Sequence, residues 1–196
     1  MENQSNEITV KIKGDINNFY QVLKEKGFEK TETFTMEDTF FIPKDLKINE
    51  MTVREILSKA VLAREVKRDN PERLERLLVF KKKDIDENGI ILSQSKIECE
   101  VTKLEDAKKF MNSIEYKEIM NIKESDSIYK KDNFAIAVKE IENGDNLIEI
   151  ETEPDDEELD TIEKLISRIK KYEIPIYTDD YFVKKAEVEL KKVLRR

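Results

Sequence analysis

Histidine is absent from this sequence, cysteine occurs once, at Cys99, and no long apolar run interrupts 196 residues of which 41% are charged. Without histidine, neither a Ser-His-Asp nor a Cys-His nucleophile system can be assembled, and histidine-ligated zinc is excluded. One cysteine allows no intramolecular disulfide and no cysteine-based metal cluster. Any chemistry therefore falls to carboxylates, Lys, Arg, Tyr or a bound hard cation. The lack of an apolar stretch long enough for a signal peptide or a spanning helix leads to the expectation of a cytoplasmic chain without membrane association. The net charge of −8 argues against a general affinity for nucleic acid, because an acidic surface repels phosphates. A local basic lumen remains able to hold a small polyanion.

What the sequence does contain is periodicity. Nine Phe and six Tyr among 38% hydrophobic residues supply a core, and the apolar positions recur too regularly for disorder. Glu7 to Lys13 alternates strictly, with Ile8, Val10 and Ile12 on one side, and predicts a strand. Asp15 caps a predicted helix bearing Ile16, Phe19, Tyr20 and Leu23, closed by Gly27. A strand is predicted from Phe34 to Ile42. The capping-box spacing Thr52–Glu55 predicts a short helix through Ala60, followed by strands at Ala60–Val66 and Arg76–Lys82 with a break at Asn70-Pro71. After a turn at Glu87-Asn88-Gly89 the opening pattern returns. Lys96–Val101 alternates, Thr102 and Glu105 have capping-box spacing before a helix bearing Leu104, Phe110, Met111 and Ile114, and Ile122–Tyr129 is strand-like. Gly27-Phe28 followed by Glu37-Asp38-Thr39-Phe40-Phe41 aligns without a gap on Glu115-Tyr116 followed by Ser125-Asp126-Ser127-Ile128-Tyr129, so a strand–helix–strand unit occurs twice. Strands at Asn133–Ile141 and Leu147–Glu153 flank the turn Asn143 to Asn146. Helices follow through Leu159–Ile169 and from about Asp180. No linker divides residues 1–196, which predicts one domain.

The strands carry charge on one face. Glu7, Thr9 and Lys11 share a side, as do Glu98 and Glu100, and Glu149, Glu151 and Glu153; the opposite sides are apolar. An ordinary sheet with one wet face explains any single strand of this kind. Repeated glutamates at i, i+2 on neighbouring strands would repel one another, and a bound divalent cation or basic neighbours would relieve that. Curling the charged face inward gives a lumen with acids for metal and bases for phosphate.

The segments E-I-T-V-K, M-E-D-T-F-F, V-L-A-R-E, L-V-F-K, K-I-E-C-E-V, S-I-Y and A-V-K-E-I-E-N-G-D-N-L-I-E-I-E, spanning about Glu7 to Glu151, resemble the CYTH superfamily in order. That superfamily includes class IV adenylyl cyclases, thiamine triphosphatases and other triphosphate tunnel metalloenzymes. The resemblance implies an α+β fold: an antiparallel eight-stranded β-barrel with helices packed outside. It places the opening E-x-E-x-K of the family on Glu7, Thr9 and Lys11, losing the middle acid. The paired arginines of the middle strand fall on Leu62 and Arg64, the strand-ending lysine on Lys81 (or, by one slip, Lys82), and the E-x-E pairs on Glu98/Glu100 and Glu149/Glu151. The family's K-x-R falls on Glu124 and Asp126, and its aspartate of the penultimate strand falls on Lys139, so all three have reversed sign.

The resemblance therefore implies Glu7, Lys11, Arg64 and Lys81 as catalytic candidates. Lys11, Arg64, Lys81 and Lys139 are the candidate ligand-holding bases. Glu98, Glu100, Glu149 and Glu151 are candidate ligands for Mg²⁺ or Mn²⁺. The implied activity is metal-dependent chemistry on a triphosphate or nucleoside triphosphate, by hydrolysis or cyclisation. Losing two bases and gaining two acids favours the alternative, a catalytically weakened binding module for a nucleotide, polyphosphate or other charged small ligand. A homodimer would be ordinary for such a chain.

Overall fold

The computed structural model describes residues 6–85, 91–152, 159 and 161–195. Its strands are β1 (Asn6–Lys11), β2 (Glu29–Pro43), β3 (Val61–Asp69), β4 (Glu72–Ile85), β5 (Ile91–Glu100), β6 (Tyr116–Lys131), β7 (Phe134–Ile141) and β8 (Asn146–Thr152). Its helices are α1 (Ile16–Glu25), α2 (Val53–Ser58), α3 (Leu104–Ser113), α4 (Ile162–Tyr172) and α5 (Lys185–Leu194). The strands form one eight-stranded sheet in the order β1-β8-β7-β6-β2-β3-β4-β5. This is the expected antiparallel α+β architecture. The order begins on β1 and ends on β5, and among the described residues no ladder joins those two. The expected turn at Glu87-Asn88-Gly89, and Glu153, lie outside the described residues. No helix among the described residues is long and apolar enough to cross a membrane.

The chain divides into two compact units, each drawn from two stretches of sequence. The first comprises Met1–Phe34 and Glu124–Lys184. Its core is the apolar side of three alternating strands: Ile8, Val10 and Ile12, Ile136 and Val138, and Ile148 and Ile150, all buried with Phe19 and Leu23 of α1 and Leu165 and Ile169 of α4. Period-two strands meet period-3.6 helices on that side, which leaves the polar residues of the same strands on the other. Asp15 accepts from the backbone N–H groups of Asn17 and Asn18 at 2.9 and 3.2 Å, and Gly27 at φ +83° ends the helical segment. Both signals were legible in the sequence.

The second unit comprises Thr35–Lys123 and Lys185–Arg196. Here Met111 of α3 packs on Phe41 and Ala63, with Val61 and Leu78 alongside. The Thr52–Glu55 capping box forms as predicted: the Glu55 N–H donates to the Thr52 hydroxyl at 3.2 Å and the Thr52 N–H to the Glu55 carboxylate at 2.6 Å. The Arg54 guanidinium donates to Glu187 at 2.9 and 3.2 Å, tying α2 to α5.

Two expectations differ from the structure. Thr102 does not cap α3; the N-cap is Lys103, without a side-chain bond. The β4–β5 hairpin explains this, because the Val101 N–H bonds Arg76 O and the Arg76 side chain bonds Thr102 O, holding the strand one residue further. The last helix begins at Lys185 rather than near Asp180. The intervening backbone instead satisfies the edge of β1, with the Thr9 N–H donating to Tyr181 O and the Val183 N–H to Thr9 O.

Candidate functional site

In the first unit, cross-strand register sets Asp126 opposite Lys139, and Glu149 opposite both Ala137 and Thr9. Directly opposed residues share a sheet face, so Thr9, Glu149, Lys139, Asp126 and Glu124 all lie opposite the helix-covered core. Lys139 is 6% exposed and Asp126 0%. The Lys139 ammonium lies 2.9 Å from Asp126, 3.4 Å from Glu149 and 3.7 Å from Glu124. Burial alone would lower the Lys139 pKa, but the carboxylates of Glu149, Glu124 and Asp126 outweigh it and hold it above its ordinary value. The cation these three carboxylates surround is the lysine itself. Lys11, near the end of β1, meets Asp145 at 2.7 Å.

The second unit contains the opposite arrangement. Asp38 on β2 is 2% exposed and accepts a bidentate pair from Arg64 on β3, at 2.7 Å from Nε and 2.8 Å from Nη2. Burial pushes the Asp38 carboxyl up, but the Arg64 guanidinium, helped by Lys185 and Lys81, outweighs it and holds the pKa below the usual value. Arg64, Lys185 and Lys81 are thus the bases gathered on this one carboxylate. The ladders β3–β4 and β4–β5 set Arg64 opposite Leu77, Leu77 opposite Glu100, Val79 opposite Glu98, and Lys81 opposite Lys96. Arg64, Lys81, Glu98 and Glu100 therefore share a face. Glu98 is engaged by Lys96 at 2.9 Å.

The two clusters fall on the internal repeat. Asp38 and Asp126 align, and each is a buried acid bonded to a base on the next strand, Arg64 on β3 or Lys139 on β7. The positions that open the alignment, Gly27 and Glu115, both have positive φ, +83° and +64°.

Of the residues singled out from the sequence, the structure gathers Lys139 and Glu149 in one cluster and Arg64 and Lys81 in the other. Glu7 and Glu151 are opposite one another in the β1–β8 register, and their side chains lie outside the described residues. Asp38 and Lys185 were not assigned roles from the sequence. Asp38 stood within the repeated segment, whereas nothing in the spacing linked Lys185 to it. Among the described residues, no group of three or more carboxylate or cysteine side chains is arranged to hold a metal ion.

No protein-family model matches the sequence, and no curated protein is significantly similar to it. Solved structures do resemble it. A protein of Pyrococcus horikoshii OT3, PH1819, superposes with a TM-score of 0.69 at 18% identity, over 96% of this chain and 99% of that one. A candidate adenylate cyclase from Vibrio parahaemolyticus gives 0.61 at 16% identity over the whole of both chains. A candidate adenylyl cyclase from Hippeastrum, whose dominant activity is that of a triphosphatase, gives 0.59 at 16% identity over 96% of each. At these identities the likeness concerns fold alone: this chain shares with those proteins the eight-stranded antiparallel α+β fold.

Proposed function

We propose that this protein binds a small phosphorylated ligand through the basic cluster around Asp38, and that its capacity for metal-dependent triphosphate chemistry is weakened. One observation carries the reading: the bases expected to hold a triphosphate are largely answered by carboxylates. Asp38 grips Arg64 at both oxygens, Asp145 meets Lys11 at 2.7 Å, and three acids surround Lys139. A triphosphate would have to displace these partners, of which the bidentate Arg64–Asp38 pair and the Lys139–Asp126 bond, at 2.7–2.9 Å, are of the strong charge-assisted kind. Around Asp38 stand three bases, Arg64, Lys185 and Lys81. Three bases on one side chain suit a single phosphoryl group, which carries roughly −1.5 to −2 at neutral pH, better than a longer polyphosphate. Arg64, Lys81 and Lys185 would contact the phosphoryl oxygens, with Asp38 holding the Arg64 guanidinium in one orientation.

Mg²⁺ or Mn²⁺ at Glu98, Glu100, Glu149 and Glu151 has no described cluster to support it, and no step is routed through a metal. The test is a thermal-shift panel with AMP, ATP, tripolyphosphate, thiamine triphosphate and spermine, each with and without Mg²⁺ or Mn²⁺. A ligand of the folded state raises the melting temperature by mass action. The expected result is that AMP and ATP stabilise without metal, and that the shift is lost in Lys81→Met and Lys185→Met. Stabilisation that requires metal and grows steeply from AMP to tripolyphosphate would overturn the reading in favour of a triphosphate enzyme.

A further inference from the structure

The outer edge of β5 carries an inference independent of the ligand site. β5 ends the strand order, with β4 as its ladder partner among the described residues. Ile97 and Cys99 alternate with Lys96 and Glu98 along the strand; Ile97 is 58% exposed, and Cys99 is exposed as well. Ile97 and Cys99 stand opposite Phe80 and Leu78, and Leu78 borders the apolar cluster in which Met111 of α3 is buried. On α3 itself, Phe110 is 56% exposed and Ile114 is exposed too. Exposed apolar side chains on a terminal strand that has one ladder partner among the described residues are the combination that joins strands between chains.

We propose that a second copy of this chain docks there, the two β5 strands running antiparallel about a twofold axis perpendicular to the sheet at Ile97. The order of charges along Ser95-Lys96-Ile97-Glu98-Cys99-Glu100 argues for this occupant. In an isologous pair, residue i meets j and j meets i. With the axis at Ile97, Lys96 of each copy falls opposite Glu98 of the other, Ile97 meets Ile97, and Ser95 meets Cys99. Lys96 and Glu98 are already 2.9 Å apart within one chain, so dimerisation sets two such couples into a ladder of alternating sign. Moving the axis to Lys96 or Glu98 places like charges directly opposite, which is destabilising. Of these three registers the charges favour the one that also joins the isoleucines and continues the Phe80–Ile97 apolar row across both copies.

The test is light scattering coupled to size exclusion across a concentration series, with circular dichroism confirming that each variant is folded. The wild type is expected at twice the 23.2 kDa of the chain. Ile97→Lys should be monomeric, and Lys96→Glu should weaken association by roughly tenfold or more, since it sets acid against acid. Lys96→Glu combined with Glu98→Lys restores alternating sign and should restore the dimer. Ser95→Cys should form an intermolecular disulfide with Cys99 on mild oxidation. A wild type that stays monomeric, a dimer indifferent to Ile97→Lys and Lys96→Glu, or a charge-swapped double variant that fails to recover association overturns the proposal.

Discussion

Replacing Lys139 by methionine removes the ammonium held among Glu124, Asp126 and Glu149 while keeping a side chain of similar length. Asp126 and Glu124 are buried, and that ammonium lies 2.9 and 3.7 Å from them. Taking one partner from a buried ion pair costs about 3–5 kcal/mol, most of it the penalty of leaving a charge unanswered away from water. For a chain of this length, each kcal/mol lowers the melting temperature by about 2–4 °C. The expected loss is therefore roughly 6–20 °C at pH 7, read by calorimetry. The cause is isolated by adding Glu124→Gln and Asp126→Asn to Lys139→Met: with the acids neutralised, most of the loss should be recovered, giving strong non-additivity. Reversing all three signs, Glu124→Lys with Asp126→Arg and Lys139→Asp, should likewise be far more stable than Lys139→Asp alone. A drop of under about 2 °C in Lys139→Met, or additive behaviour of the three sites, would refute the claim that these residues form one energetic unit.

Asp38→Asn should destabilise by on the order of 3 kcal/mol at pH 7, because Arg64 loses its buried counter-charge. It should also flatten the acid limb of stability against pH. The folded pKa of Asp38 lies below its ordinary value, so its contribution is present above the unfolded pKa of about 3.9 and is lost as pH falls through the lower folded value; acid titration of both proteins followed by circular dichroism reads this out. Thr52→Ala removes the reciprocal cap of α2 and should cost about 1 kcal/mol, measured by denaturant unfolding.

The sequence exposed what depends on short-range periodicity and little of what depends on partners. Ile8, Val10 and Ile12, and Ile148 and Ile150, announced their buried side because a strand alternates whatever it pairs with. Asp15, Gly27 and the Thr52–Glu55 pair were readable because caps are local. Thr102 misled because the same spacing that makes a capping box was overruled by a hairpin contact from Arg76, 26 residues earlier. The reversed signs at Glu124, Asp126 and Lys139 were visible, and the register shows how they answer one another across β6 and β7. Asp38 could be seen as an aligned position but not as the clasp of Arg64, since its role depends on β2 and β3 being neighbours. Lys185 was beyond reach, for only the fold brings the start of α5 near Asp38. Ile97 shows the converse limit: alternation identifies an apolar face, while whether a helix covers it is a tertiary matter.

The central claim, that the carboxylates answering Lys11, Arg64 and Lys139 have weakened triphosphate chemistry, is tested most directly by phosphate and pyrophosphate release from ATP and tripolyphosphate with Mg²⁺ or Mn²⁺. The account predicts turnover far below the ~1 s⁻¹ lower end of ordinary enzymes, with no difference between wild type and Lys81→Met. Metal-dependent turnover at or above that rate, abolished in Lys81→Met while the variant remains folded, would contradict it.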